Sequence, residues 1–408
     1  MPREHITTEH TPESWRQEFA KYAKGENVDI YARSGYPELR KREKEFADMI
    51  GVPDTALMNA GMAAMVTAVE AENLRPGDVV LCGKDVYSQT KKMYESLEKR
   101  GIVVERLDSG DMDSIAQLVQ EKNPRLIILE DIANAKEMQV CDLKKLSHIT
   151  REANERYTRE LGTETLLNRY LAAKSEGDKV RNETKGEILA AIREFQDGRN
   201  PFIFRKVVRL MEKDLGQGRV DVIRELSRIV KSVMNNARGK LSLIIDNTLA
   251  SPMLYNPLKD IGSDVEAVVV ESGTKHYQKG RDRITLGICY ARDQEKIRKI
   301  KEKRTELGTY LQPRTEREIP KDITTAMPKI LKRHAENALN LAGALHAGGV
   351  VGITVHHPNL PSHAQHELVQ TIAPEGLVTL FYLTVSNAEE FVQRVKKIGG
   401  DIIGVGGS

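Results

Sequence analysis

Cysteine is scarce. Three thiols (Cys82, Cys141, Cys289) are scattered through 408 residues and set mostly among apolar neighbours. An odd, dispersed set excludes a disulfide frame and a thiolate metal site, and reads as packed thiols in a reducing compartment, so a cytoplasmic location is expected. A charge excess is also missing. The 62 basic and 59 acidic residues leave a net charge of +3, too little to point to nucleic acid or an anionic membrane. No apolar run approaches the roughly 18 residues of a membrane span, and the N-terminus lacks the apolar core of a signal peptide. Neither export nor membrane insertion is expected. What remains is a chain long enough for two or three domains with substantial cores.

The chain is organised around residues 241–287. An apolar run, Leu241-Ser-Leu-Ile-Ile245, ends in Asp246-Asn-Thr248, and a second, Val265-Glu-Ala-Val-Val-Val270, ends in Glu271-Ser-Gly-Thr-Lys275. Short β-branched runs closed by turn residues read as buried strands. Ligands of open α/β sheets bind outside the carboxyl ends of such strands, so Asp246 and Lys275 are expected to project into one crevice. A carboxylate there is costly to desolvate unless a cation meets it. The lysine has the Ser272 and Thr274 hydroxyls and a glycine-containing loop beside it, groups that suit a phosphate. One cofactor uses all of these together: pyridoxal phosphate has an aldehyde for lysine, a ring nitrogen for an acid and a phosphate for hydroxyls. Taken singly, each residue also reads as a plain strand-end aspartate or polar turn.

Asp246-Asn-Thr248 followed by Ser272-Gly-Thr-Lys275 resembles the transsulfuration family of pyridoxal-phosphate enzymes. That group includes the cystathionine γ-synthases and γ-lyases, methionine γ-lyases and O-acetylhomoserine sulfhydrylases. The resemblance implies an α/β, aspartate-aminotransferase-like (fold-type I) three-layer sandwich, and extends along the chain. Tyr31-Ala-Arg33 resembles an element that reaches the cofactor phosphate of the neighbouring subunit, which implies a homodimer or homotetramer; an arginine fork suits phosphate. Gly61-Met62, at the start of an expected helix, resembles a phosphate-binding helix N-terminus, with Ala60 where the family has serine. Tyr87 matches a tyrosine that stacks on the cofactor ring, although Ser88 and Gln89 replace the family's glycines. Asn134 matches an asparagine near the ring oxygen, but Ile132 and Ala135 stand where the family has prolines.

Glu38 to Ile50 has helical spacing, and strands are expected at Asp78–Cys82, Ile102–Asp108, Arg125–Glu130 and Leu286–Tyr290, with a helix near Asp113–Lys122 between them. Four parts follow: an arm (1–50), a cofactor-binding domain (51–156 and 223–325), an inserted helical subdomain (157–222) and a shortened α+β domain (326–408). The insert carries apolar residues at helical spacing and no recognisable chemistry. After Lys275 the family's Gly-His-Ser-Asp is replaced by Gly280-Arg-Asp-Arg283. His363 and His366 form only a two-ligand fragment, so no metal is expected. No residue before Ser408 maps onto the arginine with which the family grips the substrate carboxylate. The resemblance implies β/γ-elimination or γ-replacement on cystathionine, methionine or O-acylhomoserine-type substrates. In it Lys275 and Tyr87 are catalytic, and Lys275, Asp246, Thr248, Ser272, Thr274, Gly61, Met62, Tyr87, Asn134, Tyr31 and Arg33 hold the cofactor. The alternative is a non-catalytic or split paralogue that needs a partner chain.

Overall fold

The computed structural model describes residues 35–160, 209, 240–279, 283–349 and 352–397. Tyr31 and Arg33, nearly all of the expected insert and residues 280–282 lie outside that set.

Among the described residues, seven strands make one sheet in the order β1-β7-β6-β5-β4-β2-β3. They are β1 (Asp54–Met58), β2 (Val79–Gly83), β3 (Val103–Leu107), β4 (Leu126–Glu130), β5 (Ser242–Asp246), β6 (Ala267–Ser272) and β7 (Gly287–Ala291). β4 and β7 are buried along their whole length, and β5 and β6 up to their last residue. Continuous apolar runs, not alternating ones, are what a sheet covered on both faces requires. β3, last in the order, is exposed or half-buried except at Leu107. β2 pairs in parallel with β3 and β4, while β7 runs antiparallel to both β1 and β6. The sheet is therefore mixed.

The chain divides into two compact units. The first takes its described residues from Met1–Asn73, Asp246–Asn256 and Val268–Ser408. In it α1 (Pro37–Ile50) packs on β1, and α2 (Gly61–Ala71) and α8 (Gln294–Leu307) pack on each other and on β7. A buried ionic group ties these elements together. Glu43 on α1 accepts from Leu57 N (3.0 Å) and is paired with Arg304, whose Nη1 also donates to Leu57 O (3.0 Å). α10 (Ile323–Ala347) contains Pro328. It packs on β8 (Ile353–His356), which pairs antiparallel with β9 (Tyr382–Val385) around Ala342, Val355 and Leu360.

The second unit takes its described residues from Leu74–Ile245 and Pro257–Ala267. It holds β2 to β5, α3 (Ser88–Lys99) on β3, and α4 (Met112–Lys122) against α5 (Leu143–Glu160). Asn154 on α5 bonds both the N–H and the C=O of Leu241, which anchors the start of β5. Asp111 caps α4 by accepting from Ser114 N at 3.0 Å.

Candidate functional site

In the first unit, the ends of β5 and β6 and the start of α2 bring most of the expected site residues together. β5 ends at Asp246 because the chain turns there. Thr248 N donates back to Asp246 Oδ1 (2.9 Å), and Asn247 N donates to Val270 O (2.9 Å). Thr248 then reaches across: its Oγ1 accepts from Ser272 N at 2.9 Å, which ties the turn after β5 to the end of β6. His276 completes the brace, with Nε2 2.8 Å from Thr248 O. Burial lowers the His276 pKa, so the neutral ring donates to that carbonyl.

Burial raises the Asp246 carboxyl above its usual range, while the Thr248 hydrogen bonds and the Lys275 ammonium pull the other way. Lys275 itself is exposed, on the short helix α7 (Gly273–His276) that follows β6 without a break. The expected acid and lysine thus act on each other through space.

α2 begins at Gly61, with Ala64 N closing on Ala60 O (3.0 Å), so the amides of Gly61 and Met62 lie ahead of the first intrahelical bond. A Cβ on Gly61 would sit 2.6 Å from Ser272 Cβ and 2.9 Å from its Oγ. The glycine is what lets the helix start approach the Ser272 hydroxyl. Gly287 is similarly placed: a Cβ there would fall 2.0 Å from Ala60 O.

Other expected residues fall elsewhere. The Thr274 hydroxyl accepts from Leu286 N (2.9 Å) and lies 3.4 Å from Leu286 O, so it holds the approach to β7. Tyr87 and Asn134 belong to the second unit, beyond the carboxyl ends of β2 and β4. There Glu130 Oε1 accepts from Tyr87 N (2.7 Å), and Asn134 N donates to Asp85 O (3.1 Å). The Tyr87 side chain is 45% exposed. His356, His357 and His363 are used locally, on Thr384, Asn359 and Gln365 respectively. Among the described residues no group of three or more His, Cys, Asp or Glu is placed to hold a metal ion.

Three residues near Lys275 were not singled out by sequence. Gln278 donates to Thr274 O (2.6 Å) and Ile284 O (3.1 Å) and accepts from Arg283 N (2.7 Å) and Ile284 N (3.1 Å). Glu271, 1% exposed, accepts from Tyr277 Oη at 3.2 Å. Gln278, Glu271 and Tyr277 are polar residues flanking the motif, which is the signal the sequence offered; their partners lie four to six residues away, in a turn whose path the sequence does not show.

The model of a family described as Cys/Met metabolism PLP-dependent enzyme matches residues 6–158 and 220–399. The chain belongs to this family. Its fold is α/β, of the aspartate-aminotransferase-like type. Relatives include a cystathionine β-lyase of Neurospora crassa, 24% identical over 372 residues, which are 90% of this chain and 60% of that protein. Over a shorter stretch of 123 residues, 30% of this chain and 31% of the relative, a cystathionine γ-synthase of Escherichia coli is 32% identical. The chain therefore spans about 60% and 31% of the lengths of these two relatives. A solved methionine γ-lyase from Micromonospora echinospora superposes with a TM-score of 0.61 at 20% identity, covering 91% of this chain and 75% of that one. At that identity the likeness concerns the fold.

The family's cofactor is pyridoxal phosphate, and the residues of the first unit fit it. Gly61, with no Cβ to collide with Ser272, lets the start of α2 lie against the Ser272 hydroxyl, and the amides there and that hydroxyl are donors that suit a phosphate. Asp246 offers a held carboxylate for a ring nitrogen, and Lys275 an amine for an aldehyde. Among the described residues no helix is long and apolar enough to cross a membrane.

Proposed function

We propose that this chain is a pyridoxal-phosphate-dependent enzyme of sulfur amino-acid metabolism, acting by β/γ-elimination or γ-replacement. The observation that carries the proposal is the Asp246–Thr248–Ser272 brace with the Lys275 charge acting on Asp246. Bound pyridoxal phosphate supplies an aldehyde for an amine and a ring that accepts an electron pair from the substrate's α-carbon. The protein's share is binding, orientation and proton control. Asp246 keeps a proton on the ring nitrogen, and Thr248 holds that carboxylate in place. Amides of Gly61 and Met62 with the Ser272 hydroxyl take the phosphate; Thr274 supports the same turn through Leu286. The Lys275 amine holds the aldehyde carbon's position and moves the proton at the α-carbon and the β-carbon.

The family resemblance offers Tyr87 for the ring face and for assisting proton transfer, and Asn134 for the ring oxygen. It offers Tyr31 and Arg33 as the neighbouring subunit's contribution to the phosphate, which makes the active form a homodimer or homotetramer. The substrates that the relatives' names support are cystathionine and methionine, with O-acylhomoserines as the further candidates of the resemblance. Three free, buried cysteines support a reducing, cytoplasmic setting.

The test is turnover by the purified full chain with pyridoxal phosphate and each amino acid in turn, read as released ammonia, thiol and 2-oxo acid. Release from at least one of them is the expected result. A cofactor band that no sulfur amino acid perturbs, with no product, would sink the enzymatic reading. Co-purification of a second polypeptide required for turnover would replace the homo-oligomer by a two-chain enzyme.

A further inference from the structure

Two buried acceptor oxygens, Asn247 Oδ1 and Glu271 Oε1, have no hydrogen-bond partner among the described residues, and the strand register makes their residues neighbours. Leu243 N donates to Glu266 O and Asn247 N to Val270 O, so the bonds advance together along β5 and β6. That is the pattern of a parallel pair, in which Asn247 stands directly opposite Glu271. Adjacent strands lie about 4.7–4.9 Å apart, and opposed residues share a face. Asp246, one residue earlier, turns to the other face. Asn247 is fully buried and Glu271 is 1% exposed.

The remaining polar atoms of the two side chains are committed. Asn247 Nδ2 donates to Tyr255 O (3.0 Å) and to Tyr290 Oη (3.1 Å). A carbonyl only accepts, so the amide nitrogen must face it and Oδ1 must face away. On Glu271, Oε2 accepts from Tyr277 Oη (3.2 Å), which is 3.0 Å from Ser251 Oγ. Ser251 N donates to Asn247 O (2.8 Å) and so ties the cluster back to its start. With Glu271 ionised, both leftover oxygens would be buried acceptors without a donor, a costly arrangement. One proton on Glu271 Oε1 turns that atom into a donor, and a single bond then satisfies both.

We propose that Glu271 is a positioning residue whose protonated carboxyl donates from Oε1 to Asn247 Oδ1, and so fixes, from the opposite face of the sheet, the turn that holds Asp246 and Thr248. The proposal rests on the function proposed above for what that turn serves; the protonated carboxyl itself needs no cofactor. The titratable groups around the pair are Tyr277 from α7, Tyr290 from β7 and Asp246 from β5, and none of these is a cation. From α1, Phe46 packs edge-on against Tyr277 with ring centroids 5.0 Å apart. Burial, the largest cause, raises the Glu271 pKa from the usual 4.5 to about 8, against the pull of the Ser251 and Tyr277 hydroxyls. The folded state therefore binds this proton more tightly than the unfolded chain. The stability it gives is complete below about 4.5 and is lost as pH rises through about 8.

The experiment is infrared difference spectroscopy of the full chain, native against Glu271→Gln and Asn247→Ala. At about pH 6 the native protein should show a protonated-carboxyl carbonyl band that E271Q lacks, fading with a midpoint near about 8. In Asn247→Ala the band should move to higher frequency and its midpoint should fall, because the neutral acid has lost its acceptor. Glutamine is an uncharged donor of the same shape, so E271Q should hold its stability where the native protein loses it toward about pH 9. Pyridoxal phosphate titrations supply the readout that a merely structural Glu271 would leave alone. The native affinity, taken relative to that of E271Q at the same pH, should fall about threefold to tenfold between about pH 6 and about pH 9, the loss of one hydrogen bond. Absence of the band in the native protein, a band that ignores Asn247→Ala, or a constant affinity ratio overturns the proposal. If Asn247→Ala does not fold, the native band and the ratio to E271Q decide; if E271Q does not fold, the native band and Asn247→Ala decide. The two readings fail separately. A chain that shows the band but never binds pyridoxal phosphate loses the function and keeps the Glu271–Asn247 bond. A chain that binds it at Lys275 without the band keeps the function and loses this inference.

Discussion

Gly61→Ala puts one methyl group where helix α2 meets the end of β6. The new Cβ would lie 2.6 Å from Ser272 Cβ and 3.0 Å from Ser272 Cα. Ordinary carbon contacts begin at about 3.5 Å, so α2 and Ser272 must separate by roughly 1 Å. The clash is with backbone and Cβ, not with the tip of a side chain that could swing aside. Overpacking of this kind costs typically about 1–3 kcal/mol, from which the lower entropy cost of alanine in a helix recovers at most about 0.5–1 kcal/mol. A net loss of about 1–2 kcal/mol is expected in urea melts of the cofactor-free protein. The same shift moves the Gly61 and Met62 amides away from Ser272, and each 1.4 kcal/mol of lost phosphate binding is about tenfold in affinity. Titration with pyridoxal phosphate should show about that loss. Gly343→Ala is the control: it lies inside α10 with nothing within 4 Å of its Cβ, and should stabilise by about 0.5–1 kcal/mol without touching the cofactor. A Gly61→Ala protein as stable as the native one, with unchanged affinity, would refute the close approach of α2 to Ser272.

Three further changes probe other parts of the first unit. Glu43→Ala leaves Arg304, 3% exposed, with an uncompensated buried charge. It should cost about 3–5 kcal/mol in urea melts, whereas an effect below about 1 kcal/mol would mean the pair is not buried. Gln278→Ala strips partners from the carbonyls of Thr274 and Ile284 and the amides of Arg283 and Ile284. A loss of about 1–3 kcal/mol and weaker cofactor binding are expected, checked by melts and by absorbance titration. His357, 1% exposed, has its pKa lowered by burial to about 4. The folded state binds that proton less tightly than the unfolded chain, so this stability is complete above about pH 6.5 and is lost as pH falls toward about 4, up to about 3 kcal/mol. His357→Gln should flatten the difference in stability over that window, as read by melts at a series of pH values.

The parts of this fold that were legible in the sequence are the ones encoded locally. The runs at β2 and β4 to β7 are apolar throughout because both faces are covered, and each stood within a residue or two of its observed bounds. β1 was not foreseen. Asp54-Thr-Ala-Leu-Met58 has only three apolar residues, and becomes a strand by pairing with β7, more than 200 residues away. In the α+β domain, Leu377-Val-Thr-Leu-Phe-Tyr-Leu-Thr384 is mostly apolar, yet only its end, in Tyr382–Val385, pairs with β8. At the site, Asp246 stood out because it ends an apolar run and Lys275 because it follows one by a few polar residues. The function of Thr248, which braces Asp246 and Ser272 together, depends on the neighbouring strand end and could not be read from its own surroundings. Thr274, expected at a phosphate, has its hydroxyl on Leu286 for the same reason. Ser251, Glu271 and Tyr277 converge through a turn of α6 (Ser251–Leu254) and a turn of α7, and no spacing in the sequence announces such a cluster.

The central claim is that Lys275 carries pyridoxal phosphate with Asp246 against its ring nitrogen. The most direct measurement is borohydride reduction of the purified protein, followed by peptide mapping of the fixed adduct, on native, Lys275→Ala and Asp246→Asn chains. The account predicts a yellow native protein whose adduct maps to Lys275, no fixed adduct in Lys275→Ala, and an adduct with an altered absorption band in Asp246→Asn. A native protein that stays colourless with added pyridoxal phosphate, or an adduct fixed on another lysine, would contradict it.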